Sequence, residues 1–258
     1  MKRLSVVIPS RSQPEQARFL ARALQSVSAQ TARSSLAIEV VIGLDAGAAL
    51  PDLPPSDLPV RWAHAAERSQ AAALNAAASL LTGDYVAFLE DDDQWQTAHL
   101  AVALQFLQQA QFVSTTQLEI NPVGYVVRIN DFATPSGWVM PRSTWERVGL
   151  FDGAFRYHLD SDWLGRLGNA PLSRVHVAEA TAPILLDTAL QVRPWLAAVV
   201  VKGGGRVTLA RHASPIPNVL RLVHPGSGTY QLVTDPLKRQ AHEEELARLK
   251  AKFGREPW

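Results

Sequence analysis

The chain has 258 residues, 25 Lys plus Arg against 24 Asp plus Glu, and no Cys. The length is enough to bury a sizeable core, and 47% hydrophobic with 19% charged content belongs to a folded globule rather than a disordered chain. A formal charge of +1 leaves no basic field for wrapping a nucleic-acid backbone, and the lack of Cys excludes a disulfide framework, a thiol nucleophile and Cys-ligated zinc.

Lys2 and Arg3 lead only into the short apolar run 4–8, ended by Pro9, which lacks the pattern of a secretory signal and reads as a buried parallel strand. Residues 18–30 carry Leu20, Ala23, Leu24 and Val27 at helical spacing, so a helix is expected there. A second strand is expected at 38–44, ending at Asp45, and a third at 60–63 after the proline-bearing loop 51–59. Residues 69–81 form an Ala-rich helical pattern stopped at Gly83, and a fourth strand, 85–89, runs straight into Glu90, Asp91, Asp92 and Asp93. Alternation of strand and helix at these lengths implies an α/β fold with a parallel sheet and right-handed crossovers. Ligands of such sheets bind beyond the carboxyl ends of the strands, which points to Pro9, Ser10, Arg11, Asp45 and the four acids.

The second half is less regular. A helix is expected at 97–109, with Leu100, Leu104 and Leu107 on one face, and strands at 112–116 and 124–129 are candidates to pair with each other. A short apolar run at 138–140 precedes helices at 143–148 and 159–167. Beyond 186 the pattern loosens: 203–205 and 215–225 read as loops, followed by a charged helix at 240–253 with Leu246, Leu249 and Phe253 on one stripe. The longest later apolar stretch, 195–201, is far short of the roughly 20 residues of a membrane-spanning helix. A soluble, cytoplasmic protein of one domain with a C-terminal extension is the expectation.

Four consecutive acids are the sharpest local feature. A solvated turn or a helix N-terminus is their plain explanation, since acids favour the positive end of a helix dipole. Their place directly after a buried strand favours another one: oxygen ligands for a hard divalent cation shared with a ligand's phosphates.

Several segments agree in order and spacing with one family. These are Val6-Val7-Ile8-Pro9-Ser10-Arg11; Leu20, Leu24, Ser26 and Gln30; Glu39-Val40-Val41-Ile42 with Asp45; Ala73-Leu74-Asn75; and Gly83-Asp84-Tyr85. Phe88-Leu89-Glu90-Asp91-Asp92-Asp93-Gln94-Trp95 follows, then Val148-Gly149-Leu150-Phe151-Asp152 and Asp160-Ser161-Asp162-Trp163-Leu164-Gly165-Arg166. Together they resemble the GT-A glycosyltransferases of family 2, whose acidic segment reads FLDxDDxW. Glu90 stands where that family has Asp, Leu159 where a Glu precedes the base, and Ala46-Gly47 where an Asp-Gly-Ser run is usual.

The resemblance implies a GT-A fold, with a Rossmann-like, mostly parallel sheet flanked by helices. It places the glycosyltransferase domain at 1–190 (1–100 the nucleotide-binding half, 101–190 the acceptor half) and a C-terminal extension at 191–258. It implies a metal-dependent, inverting transfer from a nucleotide-diphosphate sugar, a UDP-sugar first among them, to a hydroxyl acceptor. Pro9, Ser10 and Arg11 would line the nucleotide pocket, Asp45 would accept a hydrogen bond from the base, and Arg68 would reach the base or a phosphate. Asp91 would bond the ribose, and Asp92 would ligate Mn2+ or Mg2+ on the diphosphate with Asp93 beside it. His212 would close over the diphosphate as a third metal ligand, with His224 the competing choice. Asp160, six residues before Arg166, would deprotonate the acceptor; N-capping of its helix is the plain alternative.

Asn75 reads as structural, and Ser136-Gly137-Trp138 as either an acceptor platform or core. The terminal helix is a candidate for a homodimer contact or a membrane surface. Two other classes stay open. A sugar-phosphate nucleotidyltransferase would carry a Gly-rich loop after the first strand, where this chain has Pro9-Ser10-Arg11-Ser12-Gln13-Pro14. An inactive relative that only binds nucleotide or glycan is kept in view by Leu159.

Overall fold

A computed structural model describes residues 1–179, 198–202, 205–212 and 216–257. The expected domain boundary at 190, Gly203 and Gly204, and part of the apolar run 195–201 lie outside the described residues.

The first half follows the expected alternation. β1 (Lys2–Ser10) leads to α1 (Pro14–Ser28), which begins earlier than expected because Pro14 presets the first helical turn. Then come β2 (Leu36–Leu44), β3 (Val60–His64), α2 (Gln70–Ala78) and β4 (Tyr85–Phe88). Ser69 caps α2 by accepting from the Ala72 N–H at 3.1 Å. Gly43 lets α2 settle flush on β2, because a Cβ there would stand 1.9 Å from the Ala73 carbonyl oxygen.

After β4 the chain forms β5 (Gln94–Trp95), α3 (His99–Phe106), β6 (Phe112–Thr115), β7 (Gln117–Ile120) and β8 (Val126–Asn130). Next are β9 (Val139–Pro141), α4 (Arg142–Val148), α5 (Leu159–Asn169) and β10 (Arg174–Glu179). The remaining elements are β11 (Ala198–Lys202), β12 (Gly205–His212), β13 (Val219–Leu222), α6 (Gly228–Thr234) and α7 (Pro236–Phe253).

Nine strands form the central sheet in the order β11-β12-β10-β6-β9-β4-β1-β2-β3. Only β9 and β11 run antiparallel to their neighbours, so β1, β2, β3, β4, β6, β10 and β12 end at one edge. A second sheet, β5-β13-β7-β8, stands beside it. Alternation along the strands divides the core. Leu4, Val6, Ile8, Val40 and Ile42 face Leu20, Leu24 and Val27 of α1 with Leu100, Ala103 and Phe106 of α3. Val7, Val41, Val86 and Phe88 face Ala71, Leu74 and Ala77 of α2 with Trp145, Trp163, Leu164 and Leu167 of α4 and α5. The architecture is helix, sheet, helix, as the alternation predicts.

Two expectations are corrected. Residues 112–116 and 124–129 do not pair: β6 joins β9 and β10, whereas β8 pairs with the unexpected β7. The break at Thr116 passes the chain from one sheet to the other, and a further strand follows the expected one directly. The stretch 215–225, expected to be loop, contains β13, which runs parallel to β7 and antiparallel to β5. Among the described residues no helix is long and apolar enough to cross a membrane.

Candidate active site

The shared edge gathers the residues singled out after the strands. Pro9 and Ser10 lie in register with Gly43 and Leu44, and the Asp45 N–H donates to the Ser10 carbonyl at 3.2 Å. The loop then turns through Ser12, whose φ of 53° is left-handed, a strained position for a residue with a side chain. The Ser12 hydroxyl donates to the Ala49 carbonyl at 2.5 Å and its N–H to the Ser10 hydroxyl at 3.2 Å, so the turn is held from both sides. Arg68 Nε donates to the Ala46 carbonyl at 3.1 Å, fixing the loop after β2. Burial raises the Asp45 carboxyl above its ordinary pKa, while the charges of Arg11 and Arg68 pull it down. Both guanidiniums therefore stand near Asp45, and both are exposed.

The four acids differ in their surroundings. Glu90, Asp92 and Asp93 each present an oxygen within 4.8 Å of the others, a hard-donor cluster of the kind divalent cations take. Glu90 accepts from Gln70 Nε2 at 3.0 Å. Asp93 is 1% exposed and both its oxygens are engaged, one by the Ser136 hydroxyl at 2.6 Å and one by the Leu222 N–H at 3.1 Å. It therefore ties the acidic loop to β13. Asp91 is 8% exposed, and its Oδ2 has no hydrogen-bond partner among the described residues. Burial, then the neighbouring Asp92, push the Asp91 carboxyl up to about 8, although Ser10 and Arg11 oppose the shift.

Two members of the site come from β13 and the loop after it: Arg221, which was not foreseen, and His224, which was weighed as the alternative to His212. Arg221, on β13, donates to Glu119 at 3.2 Å and lies within the field of Glu90, Asp92 and Asp93, which hold its guanidinium firmly charged against the cost of burial. The only sequence signal for it is the strand-length run Val219-Leu220-Arg221-Leu222 in a stretch otherwise punctuated by Pro and Gly. His224, two residues later, places Nε2 3.1 Å from Asp92 Oδ2 and rests on the Phe19 ring, with centroids 5.0 Å apart. The Gly226 N–H donates to Nδ1 at 3.2 Å, so a neutral His224 ring carries its proton on Nε2, facing Asp92. Arg11 Nη2 reaches the Gly226 carbonyl at 3.5 Å, joining the same loop to the end of β1. His212 ends β12, four strands from β4 in the sheet order and roughly 19 Å away at ordinary strand spacing. Of the two histidines weighed, His224 is the one that reaches the acids.

Asp160 occupies the second position of α5, and the N-cap is His158, so Asp160 does not cap its own helix. Its Oδ1 accepts from the Ser161 N–H at 2.7 Å. Burial raises its pKa, while the Ser161 N–H and Arg221 draw it back. Its charge in turn helps raise Glu90, which puts Asp160 in the same electrostatic neighbourhood as the acidic cluster. The spacing to Arg166 has another cause. Arg166 Nε pairs with fully buried Asp162 at 3.0 Å one helical turn away, and its other nitrogens donate to the Val148 and Leu150 carbonyls.

Asn75 is structural, as expected. Its amide donates to the Phe151 carbonyl and accepts from the Phe151 N–H, each at 2.9 Å. Trp138 is no acceptor platform: it is fully buried against Phe88, Phe112, Phe151 and Trp163, with Nε1 donating to Ala133. Buried Ser136 instead supports the acids, accepting from the Glu90 N–H at 3.1 Å while it donates to Asp93.

The sequence model of glycosyl transferase family 2 matches residues 5–157, more than half of the chain. Among solved structures, S. aureus TarS 1-349 in complex with UDP aligns with a TM-score of 0.53 at 13% identity, over 97% of this chain and 72% of that one. A longer S. aureus TarS structure also gives 0.53, at 12% identity over 87% of this chain, which spans 37% of its length. The mannosyltransferase PcManGT from Pyrobaculum calidifontis, in complex with GDP-Man and Mn2+, gives 0.53 at 16% identity, over 94% of this chain and 62% of that one. No curated protein sequence matches significantly. At such identities the structural likeness establishes the fold, which is GT-A. With a mainly parallel sheet, the acids at its edge and the family match over residues 5–157, the chain belongs to glycosyl transferase family 2 and is a glycosyltransferase.

Proposed function

We propose that the protein is a cation-dependent, inverting transferase that moves a sugar from a nucleotide-diphosphate donor, UDP-sugars first, to a hydroxyl acceptor. Asp91 Oδ2, buried at the strand ends beside Glu90 and Asp92 with no hydrogen-bond partner among the described residues, carries this reading. A buried carboxyl oxygen without a hydrogen-bond partner is costly, and ribose hydroxyls, which both donate and accept, would satisfy it in either protonation state. Pro9, Ser10 and Arg11 would border the nucleotide, and Asp45, between Arg11 and Arg68, would meet its base.

The donor set also fits Mn2+ or Mg2+: all of it is carboxylate oxygen, and Cys is absent. Asp92 would hold the ion, with Glu90 beside it, Asp93 anchoring the loop and His224 orienting Asp92. A divalent ion there supplies charge neutralisation on the departing diphosphate. Asp160 would take the proton of the acceptor hydroxyl as its oxygen attacks the anomeric carbon and the nucleoside diphosphate leaves. The raised pKa of Asp160 suits a general base better than an ordinary surface carboxylate would. Transfer should therefore fade on the acid side at a pH above the usual carboxylate range.

A cytoplasmic setting accords with a Cys-free chain. Val233 and Leu237, 69% and 77% exposed, offer apolar surface for a homodimer contact near α6.

Replacing Asp160 by Asn tests the central role. Nucleoside diphosphate release with manganese should fall by about 100-fold or more. UDP binding by calorimetry should stay within about twofold, because Asn keeps the size and removes only the base. Undiminished turnover would take Asp160 out of the mechanism.

A further inference from the structure

Helix α5, which carries Asp160, starts without a cap of its own. His158 at the N-cap position makes no side-chain capping bond, yet the first backbone N–H groups of a helix have no intrahelical partner. The Ser161 N–H is taken by Asp160 itself, and an acceptor for the His158 N–H and the two N–H groups before it comes from α7. Glu245, on α7 and 7% exposed, reaches under the turn before α5. Its carboxylate accepts from the Arg156 N–H at 2.9 and 3.1 Å, the Tyr157 N–H at 2.7 Å and the His158 N–H at 3.2 Å. A buried carboxylate at the positive end of a helix, gathering several N–H groups, is a strong and directional anchor.

The grip continues along α5. His158 Nε2 lies 3.2 Å from the His242 carbonyl, with the two rings 4.2 Å apart. Lys252 Nζ donates to Asp162 at 2.7 Å. Phe253 lies against Gly165, where a Cβ would stand 2.6 Å from its ring. Among these contacts only Glu245 binds the backbone immediately before Asp160.

We propose that Glu245 is a positioning residue for the base: by fixing residues 156–158 it sets where α5 begins and therefore where the Asp160 carboxylate stands. This rests on the reading of Asp160 as base. It assigns to the C-terminal helix a part in the reaction that its exposed, charged sequence does not suggest.

The test uses the full chain with E245Q and E245A. In E245Q, amide exchange followed by mass spectrometry should speed at least about tenfold over 156–162 and stay unchanged in β1, β2 and β4. With manganese, kcat for nucleotide release from UDP-N-acetylglucosamine and GDP-mannose should fall about tenfold in E245Q and about 100-fold in E245A, as misplacement of a catalytic group does. Donor KM and UDP affinity should move less than about twofold. A D160N/E245A double variant should turn over no more slowly than D160N alone, because Glu245 acts only through the base.

Unaltered exchange over 156–162, an unaltered kcat, or an equal loss of kcat and UDP binding would each overturn the proposal. If D160N kept its turnover, the base assignment would fall instead, and the exchange result would still report whether Glu245 holds the segment. Should E245A not fold, E245Q, which keeps the side-chain volume, decides the matter.

Discussion

At the scale of single residues, His224 and Asp92 show how a distant side chain completes a local motif. They are 132 positions apart, yet Nε2 meets Oδ2 at 3.1 Å, and the Gly226 N–H fixes which ring nitrogen faces the acid. Partners that orient a ligating carboxylate commonly govern metal affinity by 10- to 100-fold. His224→Ala should therefore weaken manganese-dependent UDP binding about tenfold by calorimetry, whereas His212→Ala, at the end of β12, should leave it within about twofold. Equal losses in the two variants would restore His212 as a partner of the site.

Much of this site can be read in the sequence, and the reason is local. The four acids follow β4 without a spacer, so their placement needs only one strand and one edge. Arg221 cannot be read that way, and the sequence does not choose His224 over His212. The positions of Arg221 and His224 depend on β13 slotting between β5 and β7, and a four-residue strand paired entirely with remote segments leaves no periodicity to find. The net charge hides Arg221 as well: the cation offsetting Glu90, Asp92 and Asp93 comes from the last quarter of the chain, while Arg11 and Arg68 serve Asp45.

At the scale of elements, α2 and α5 are joined to the turn at Gly149 by small polar links. Asn75 on α2 closes a two-way bond with Phe151, just beyond the turn at Gly149, where φ is 88°. Arg166 of α5 holds the same turn through the Val148 and Leu150 carbonyls. Asn75→Ala would strip partners from both the Phe151 N–H and its carbonyl, and buried groups left unsatisfied cost about 1–3 kcal/mol. Stability from urea unfolding should drop by about 2 kcal/mol with an unchanged slope, the sign that the unfolded state is unaltered. A shift below about 0.5 kcal/mol would mean that water replaces both bonds. Helices α1 to α5 and α7 and the first four strands are legible in the sequence, whereas the seven-residue α6 is too short to show a period of its own. β7 is not legible either, because the chain changes sheets at Thr116 and re-enters a strand at once, without Gly or Pro to mark a new element.

For the whole molecule, acid sensitivity is written into the core on the α1 and α3 face. His99 is fully buried, stacked on Trp95 with centroids 4.6 Å apart, and neither ring nitrogen has a hydrogen-bond partner among the described residues. Burial pushes its pKa from 6.5 down to about 3. Below pH 6.5 the unfolded chain takes up a proton that the folded ring refuses, so stability present at neutral pH is lost as the pH falls toward the folded value. Between pH 7 and pH 5 the loss from this one group is about 2 kcal/mol. His99→Phe keeps the stack and removes the proton site, so the Tm difference between pH 7 and pH 5 should shrink by several degrees. An unchanged difference would show that other groups set the acid limit.

The placement of β13 has a consequence for how the enzyme is made. Arg221 bonds to Glu119 across 102 positions, and the Leu222 N–H bonds to Asp93 across 129. A chain still on the ribosome and extended only through β9 already displays all four acids, but it has neither the internal cation nor the histidine that surrounds them in the finished fold. Until β13 emerges, the second sheet has a gap between β5 and β7, and the acids repel one another. Nascent chains should thus gain the cation-holding part of the site in one late step, when β13 docks.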